Sequence, residues 1–235
     1  MKILAIGNSF SQDATAYIER ISGHELYVRN LYIPGYSLDR HCSNIESGEA
    51  IYQYQKDAKK LRMISLDDAL CLKKWDFITL QQVSHLSGII DSYEPYMSIL
   101  IDHIHKVSPD AKIALHETWA YDTGSDHPGF VNYNRSQKVM YGKIKETTDQ
   151  EAKKYSLPII KTGDALQKIR SIKEFDCKNS GLSLCRDAFH LSYDYGRYLA
   201  GLVWYTFFTG KKATDIGYRP KGTIKKLCDI LKENI

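Results

Sequence analysis

Short apolar runs alternate with helical stripes along most of the chain. Strands are predicted where β-forming apolar residues cluster between turn residues, at 3–6, 26–33, 75–80, 112–120 and 157–160. Helices are predicted between and after them, at 11–22, 93–107, 134–155, 164–172, 195–208 and 223–235. Strands that alternate with helices pair in parallel through right-handed crossovers. The pattern therefore predicts an α/β fold, a three-layer α/β/α sandwich around a five-stranded parallel sheet.

One stretch departs from this alternation. Residues 51–55 and 61–64 show period-two patterning on either side of a charged turn, which predicts a hairpin insertion around residues 50–65. A short helix is predicted at 65–73, and residues 37–45 fit either a helix or a loop. No repeat, low-complexity tract or linker is visible, so we expect a single domain over 1–235.

Composition narrows the classes of partner. The chain has 235 residues, of which 43% are hydrophobic, enough for a core of its own. The net charge of +4 is mild and the charges are interspersed, so we expect neither a nucleic-acid partner nor a membrane.

No apolar run reaches membrane-spanning length, and the first apolar run is too short for a signal-peptide core. We therefore expect a cytoplasmic protein, although a processed export signal outside this sequence would change that expectation. Composition does not predict an oligomeric state.

The cysteines do not suggest a metal site or a disulfide framework. There are five, at positions 42, 71, 177, 185 and 228, and none forms a Cys-x-x-Cys pair. Cys177 and Cys185 are close enough in sequence to pair across a loop, but reduced thiols are the default in the cytosol. We expect no metal and no cofactor, since no phosphate loop or dinucleotide fingerprint is present either.

Candidate chemistry begins with Ser9. The first predicted strand ends in Gly7-Asn8-Ser9, so Ser9 stands at a strand's carboxyl end and beside a helix N-terminus. Ligands bind at that edge of open α/β sheets, and helix N-termini favour negative charge. The simpler alternative is that Ser9 or Ser11 caps the helix.

A second segment, far along the chain, favours a nucleophilic role for Ser9. Asp187 precedes His190 by three residues, so one loop offers both a base and an acid group to orient it. The order Ser, Asp, His does not decide between folds, because such triads recur in several orders on unrelated folds. A standard α/β-hydrolase is disfavoured because only one strand precedes Ser9.

These segments resemble the SGNH hydrolases, also called GDSL-type esterases and lipases, in a branch with Gly-Asn-Ser-Phe as its first block. The first block corresponds to Gly7-Asn8-Ser9-Phe10, the second to Pro34-Gly35-Tyr36, and the last to Asp187-Ala-Phe-His190. The third block differs from the usual Gly-x-Asn-Asp and is Gln81-Gln82-Val83-Ser84.

The resemblance implies roles for individual residues. Ser9 would be the nucleophile, His190 the general base and Asp187 its orienting acid. The N–H groups of Ser9 and Gly35 would form an oxyanion hole, with Gln82, or else Gln81, in place of the missing Asn. Gln81, Trp119 and Tyr121 are weaker candidates for substrate contact, since packing in the core or at the rim explains the two aromatic residues equally well.

The implied activity is hydrolysis of small carboxylic esters, with O-deacetylation of a carbohydrate as the preferred substrate class. The expected partner is thus a small-molecule or saccharide ester. Two alternatives stay open. One is thioester hydrolysis or acyl transfer on the same site, and the other is a non-catalytic carbohydrate-binding relative, which the altered third block motivates.

Overall fold

The computed structural model describes residues 1–235 and contains one seven-stranded sheet. The order across the sheet is β4-β3-β2-β1-β5-β6-β7. The strands are β1 (Lys2–Gly7), β2 (Tyr27–Tyr32), β3 (Tyr52–Lys56), β4 (Lys59–Ile64), β5 (Phe77–Leu80), β6 (Lys112–His116) and β7 (Ile159–Ile160). The five strands from β2 to β7 across the sheet are mutually parallel, so their carboxyl ends share one edge. The predicted α/β class is confirmed.

The sheet has two strands more than predicted. Strands β3 and β4 form an antiparallel hairpin within the range 50–65, and β3 pairs antiparallel with β2. The hairpin is therefore continuous with the main sheet. The physical reason is that the outer edge of β2 would otherwise leave a row of backbone groups unpaired.

Helices cover both faces of the sheet. They are α1 (Ser9–Thr15), α2 (Ile18–Ile21), α3 (Leu38–Ser47), α4 (Leu66–Cys71), α5 (Tyr96–Val107), α6 (Gln137–Tyr155), α7 (Thr162–Ile169), α8 (Tyr195–Thr209) and α9 (Lys225–Glu233). Successive side chains of β1 alternate between the faces. Ile3 and Ala5 pack in a core with α1, α2, α7, α8 and α9. Leu4 and Ile6 pack in a second core with α3, α4 and α5.

Two element boundaries differ from the prediction for identifiable reasons. The first helix begins at Ser9 because Asn8, and neither serine, is its cap: the Asn8 Oδ1 accepts from the Phe10 N–H at 3.0 Å. It ends at Thr15, and a separate short helix α2 follows. Strand β6 ends at His116 because its outer neighbour β7 offers only two residues for pairing. Residues 117–120 therefore leave the sheet at its carboxyl edge.

All five cysteines are free thiols, so Cys177 and Cys185 are not paired. None of the helices combines the length and the apolar character needed to cross a membrane.

Candidate active site

Ser9 lies at the carboxyl edge of the sheet, directly after β1. It is the first residue of α1 and is half-buried. As the first helical residue, its backbone N–H has no acceptor within the helix. The local sequence thus places a hydroxyl and a free backbone donor on the same residue.

The structure brings Asp187 and His190 to Ser9 across the length of the chain. The His190 Nε2 lies 2.9 Å from the Ser9 Oγ, and the His190 Nδ1 lies 2.7 Å from an Asp187 carboxylate oxygen. Because the carboxylate can only accept, the neutral imidazole carries its proton on Nδ1 and presents Nε2 to the Ser9 hydroxyl. This row of three groups can remove the proton from a serine during nucleophilic attack.

The Asp187 carboxylate is held as an anion. Its second oxygen accepts from the backbone N–H groups of His190, at 2.7 Å, and Phe189, at 3.3 Å. Burial raises the pKa of the Asp187 carboxyl, but the hydrogen bonds from His190 outweigh this, and the pKa lies below its usual value. The acid group therefore stays charged where it faces the imidazole.

The turn that carries this pair has an unusual backbone. Ala188 has a φ of 65°, a left-handed conformation that costs a non-glycine residue about 1–2 kcal/mol. Two hydrogen bonds hold the turn: the Asp122 N–H donates to the Ala188 carbonyl at 2.7 Å, and the Trp119 indole donates to the Phe189 carbonyl at 2.7 Å. The strain is thus maintained by the residues that follow β6.

A buried carboxylate joins this turn to the helix of Ser9. Asp13 has no exposed surface, and it forms ion pairs with Arg186 at 3.0 Å and with Arg197 at 2.7 Å. The sequence did not reveal this contact. The predicted helix over 11–22 puts Asp13 in its first turn, where the helix dipole alone explains an acidic residue.

Gly35 lies in the turn after β2, opposite the Asp187 turn. Its φ of 59° explains the glycine, and its N–H donates to no protein acceptor. The Asn8 side-chain amide donates to the Tyr36 carbonyl at 2.9 Å and so ties the Gly35 turn to the Ser9 turn. Ser9 and Gly35, the two residues from which the resemblance implies backbone donors, line the same cavity.

Gln82 is not placed where an oxyanion donor is needed. Its amide nitrogen donates to the Ser92 carbonyl at 2.8 Å and to the Ser92 hydroxyl at 3.2 Å, while its oxygen accepts from the Leu38 and Val83 N–H groups. This corrects the expectation for Gln82, because both amide hydrogens are already committed and the side chain is buried. Its observed contacts link β5 to the start of α3.

Gln81 is also buried and does not reach the cavity, which corrects its assignment as a substrate contact or substitute donor. It belongs to a chain of hydrogen bonds that crosses the sheet edge. The Thr162 hydroxyl lies 3.0 Å from the His116 Nε2, the His116 Nδ1 lies 2.8 Å from the Gln81 oxygen, and the Gln81 amide donates to the Asn8 oxygen at 2.9 Å. Asn8 in turn donates to the Tyr36 carbonyl. The chain joins the ends of β7, β6, β5, β1 and β2.

The two aromatic candidates lie behind the cavity wall. Trp119 and Tyr121 have no exposed surface; Trp119 stacks on Phe10 at 4.1 Å, and the Tyr121 hydroxyl lies 2.7 Å from the Ser84 hydroxyl. Their assignment to substrate contact is corrected by this packing. Residues from several elements cover each aromatic side chain, and a local sequence pattern does not predict such long-range contacts.

The cavity at the triad has a volume of about 240 Å³. It is lined by Asn8, Ser9, Phe10, Tyr32, Pro34, Gly35, Val83, Ser84, His85, His127, Phe189 and His190. The sequence patterns did not point to His85 and His127 as cavity residues, although each follows the end of a parallel strand within about a dozen residues. No group of three or more His, Cys, Asp or Glu side chains is arranged to hold a metal ion.

A family model described as "Domain of unknown function (DUF4886)" matches residues 2–234. The chain belongs to the DUF4886 family. A crystal structure of a DUF4886 protein from Bacteroides uniformis is 34% identical, covers 100% of this chain and 92% of its own, and superposes with a TM-score of 0.89. No curated protein sequence matches the chain.

More distant solved structures share the fold of this DUF4886 protein. A protein from Slackia heliotrinireducens, described as an SGNH hydrolase, is 20% identical with a TM-score of 0.62, covering 88% of this chain and 98% of its own. An acetylxylan esterase from Geobacillus stearothermophilus is 12% identical with a TM-score of 0.52, covering 93% and 94%. The DUF4886 protein thus has the fold of the SGNH hydrolases, as the sequence blocks predicted.

Proposed function

We propose that this DUF4886 protein is a serine hydrolase that cleaves small carboxylic esters, with O-acetyl groups on a carbohydrate as its substrates. The observation that carries the proposal is the continuous row from the Ser9 Oγ through His190 to Asp187, with distances of 2.9 and 2.7 Å. A second support is the pair of free backbone donors, on Ser9 and Gly35, at the same cavity.

The proposed reaction follows from this geometry. The Ser9 Oγ attacks the ester carbonyl while its proton moves to the His190 Nε2, and Asp187 stabilises the resulting imidazolium. The N–H groups of Ser9 and Gly35 bind the oxyanion of the tetrahedral intermediate. The intermediate collapses to an acyl-enzyme as His190 gives its proton to the departing alcohol. A water molecule then attacks the acyl carbon and gives a proton to His190. The bond to the Ser9 Oγ breaks, the carboxylic acid is released, and His190 returns the proton to Ser9.

Different observations support the acetyl group and the carbohydrate as parts of the substrate. A cavity of about 240 Å³ that is shared with the catalytic groups suits a short acyl chain. Two of the solved structures with this fold are acetylxylan esterases. Thioester hydrolysis or acyl transfer would use the same groups, so a panel of thioesters and acceptor alcohols belongs in the first assay.

The decisive experiment compares the wild type with Ser9→Ala in hydrolysis of p-nitrophenyl acetate. Mass spectrometry then detects the covalent adduct that a serine-reactive phosphonate forms with the protein. We expect turnover in the wild type, loss of turnover in the variant, and a single adduct on Ser9. Folded wild-type protein with neither turnover nor adduct would contradict the proposal. That result would favour the non-catalytic binding protein. The structure supports this alternative at one point, because the Gln82 amide donates to Ser92 and so does not replace the missing Asn donor.

A further inference from the structure

Two histidines form one wall of the cavity beside the triad, and the proposed reaction uses neither of them. His85 follows β5, and His127 lies in the loop after β6. Their rings are 5.8 Å apart at an angle of 30°, and both line the cavity that contains Ser9 and His190.

The positions of both rings are well defined by the protein. The His85 carbonyl accepts from the Asn132 amide at 3.1 Å and from the Tyr133 hydroxyl at 3.2 Å. Gly129 makes room for the His85 ring, because a Cβ at that position would lie 2.3 Å from the His85 Cβ. The Gly129 N–H also donates to the His127 Nδ1 at 3.1 Å. Backbone contacts therefore hold the pair in place before any substrate arrives.

The ring nitrogens that remain are open. Three ring nitrogens have no hydrogen-bond partner in the protein: the Nδ1 and Nε2 of His85 and the Nε2 of His127. None of these three atoms is buried. Since Nδ1 of His127 accepts, its proton is on Nε2, which is a free donor. Burial lowers the pKa of both histidines, and the neighbouring His85 and His190 lower that of His127 further, against the opposing effect of Asp126 and Asp187, so the neutral form of each ring is favoured. A neutral imidazole offers one donor and one acceptor.

His127 is connected to the general base through an aromatic contact, and His85 packs beside it. The Phe189 ring contacts both His127 and His190, with centroids at 5.0 Å from His127 and 4.2 Å from His190. His190 gives its proton to the departing alcohol in the proposed reaction, whereas the carbonyl oxygen faces the Ser9 and Gly35 donors. Groups beside His190 therefore meet the alcohol part of the ester.

We propose that His85 and His127 form a binding subsite for a free hydroxyl group on the alcohol part of the substrate. A hydroxyl both donates and accepts, which matches the open donor and acceptor of neutral imidazoles. The chemical class that this subsite selects is a partly acetylated polyol or sugar, with an unmodified hydroxyl near the acetylated one. This inference rests on the proposed function and specifies its substrate.

The test is a comparison of two substrates, a monoacetylated methyl glycoside with free hydroxyls and phenyl acetate, which has none. The variant is His85→Phe, which keeps a ring of similar size and removes only nitrogens without protein partners. We expect the ratio of kcat/KM for the glycoside over that for phenyl acetate to fall by about three- to tenfold, the range of one neutral hydrogen bond, and further in His85→Phe/His127→Phe. The control His105→Gln, an exposed residue of α5, should keep the wild-type ratio. An unchanged ratio in the double variant, or an equal loss on both substrates, would overturn the inference.

A second measurement separates this inference from the proposed function. Histidine side-chain NMR of the Ser9→Ala protein is followed while the unacetylated methyl glycoside is added. Shifts of the His85 and His127 ring resonances are expected even if the wild type hydrolyses neither ester, in which case only the proposed function fails. Hydrolysis of both esters without any such shifts would leave the proposed function in place and reject the subsite.

Discussion

Asp13, in the helix that begins at Ser9, accepts a hydrogen bond at 2.9 Å from the backbone N–H of Leu191, the residue after His190. The same carboxylate pairs with Arg186 and Arg197, which flank the His190 turn in the chain. One buried acid thus connects the element that carries the nucleophile to the segment that carries the base, although the two are 178 residues apart in sequence.

We expect Asp13→Asn to destabilise the protein by roughly 3–5 kcal/mol, because it leaves two arginines without a buried counter-charge. Activity per folded molecule should fall as well, since His190 loses its link to α1. Urea unfolding measures the first effect. The matched control is Glu25→Gln, whose ion pair with Lys211 is exposed and should contribute little to stability. Equal stabilities of the two variants would contradict the role given to Asp13.

Asp187→Asn tests the orientation of His190. An amide at position 187 no longer favours the proton on Nδ1, so the imidazole loses the form that accepts from Ser9. A triad of this kind typically loses about 10⁴ in kcat on this change, and we expect a loss of about 10²–10⁴ here, because the Asp187 side chain is 41% exposed and its charge is partly screened. The measurement is kcat for p-nitrophenyl acetate, with the exposed Asp215→Asn as control. Retention of more than a tenth of the wild-type kcat would argue against Asp187 as the orienting acid.

Gln81→Glu tests the hydrogen-bond chain at the sheet edge. The carboxylate keeps the bond from His116 but turns an oxygen toward the Asn8 oxygen in place of the amide donor. Asn8 should then lose its hold on the Tyr36 carbonyl, and the Gly35 turn should shift. A displacement of the order of 1 Å can cost about 10²-fold in rate, so we expect kcat to fall by about 10- to 100-fold with a smaller change in KM.

The control for this change is Gln150→Glu, which adds the same charge on the exposed surface of α6. It should leave both parameters near their wild-type values. If Gln81→Glu raised KM and left kcat intact, the chain would serve substrate binding and not the placement of the oxyanion donors.

Glu117 makes the stability of the protein depend on pH. Burial, reinforced by the charge of Asp164, raises the pKa of its carboxyl group to about 7. The folded chain therefore binds this proton more tightly than the unfolded chain does. The stabilisation from the protonated form is fully present below the unfolded pKa, about 4.3, and is lost as the pH rises through 7.

Glu117→Gln removes this titration, so its stability relative to the wild type should rise between pH 5 and pH 8, by about 3 kcal/mol at most. Urea unfolding at several pH values measures the difference, in which the titration of all other groups cancels. Glu146→Gln, on the exposed face of α6, should show no such trend. A constant difference between Glu117→Gln and wild type across this range would show that the carboxyl group titrates as it does in water.

The local patterns predicted most of the strands and helices, and they pointed to the residues of the proposed site. Period-two and helical spacing predicted the alternation of strands and helices, because burial of one face repeats with the geometry of each element. The turn after β1 and the Asp187–His190 spacing placed three polar groups at element ends, and the common direction of parallel strands brings such ends to one edge. The antiparallel addition of β3 and β4 was not predictable from the hairpin pattern alone, since it depends on the free edge of β2.

The roles of Gln81, Gln82, Trp119 and Tyr121 required the tertiary structure. Each of the two amides has one donor side and one acceptor side, and apart from the Val83 N–H their partners lie 10 to 73 residues away in the chain. The two aromatic rings face the core because α1 and the Asp187 turn cover them. Sequence alone therefore determined the order of strands and helices, through local periodicity and turn formation, and it pointed to the segments of the proposed site. Only the packed fold decided which side chains open into the cavity, because that depends on long-range hydrogen bonds and burial.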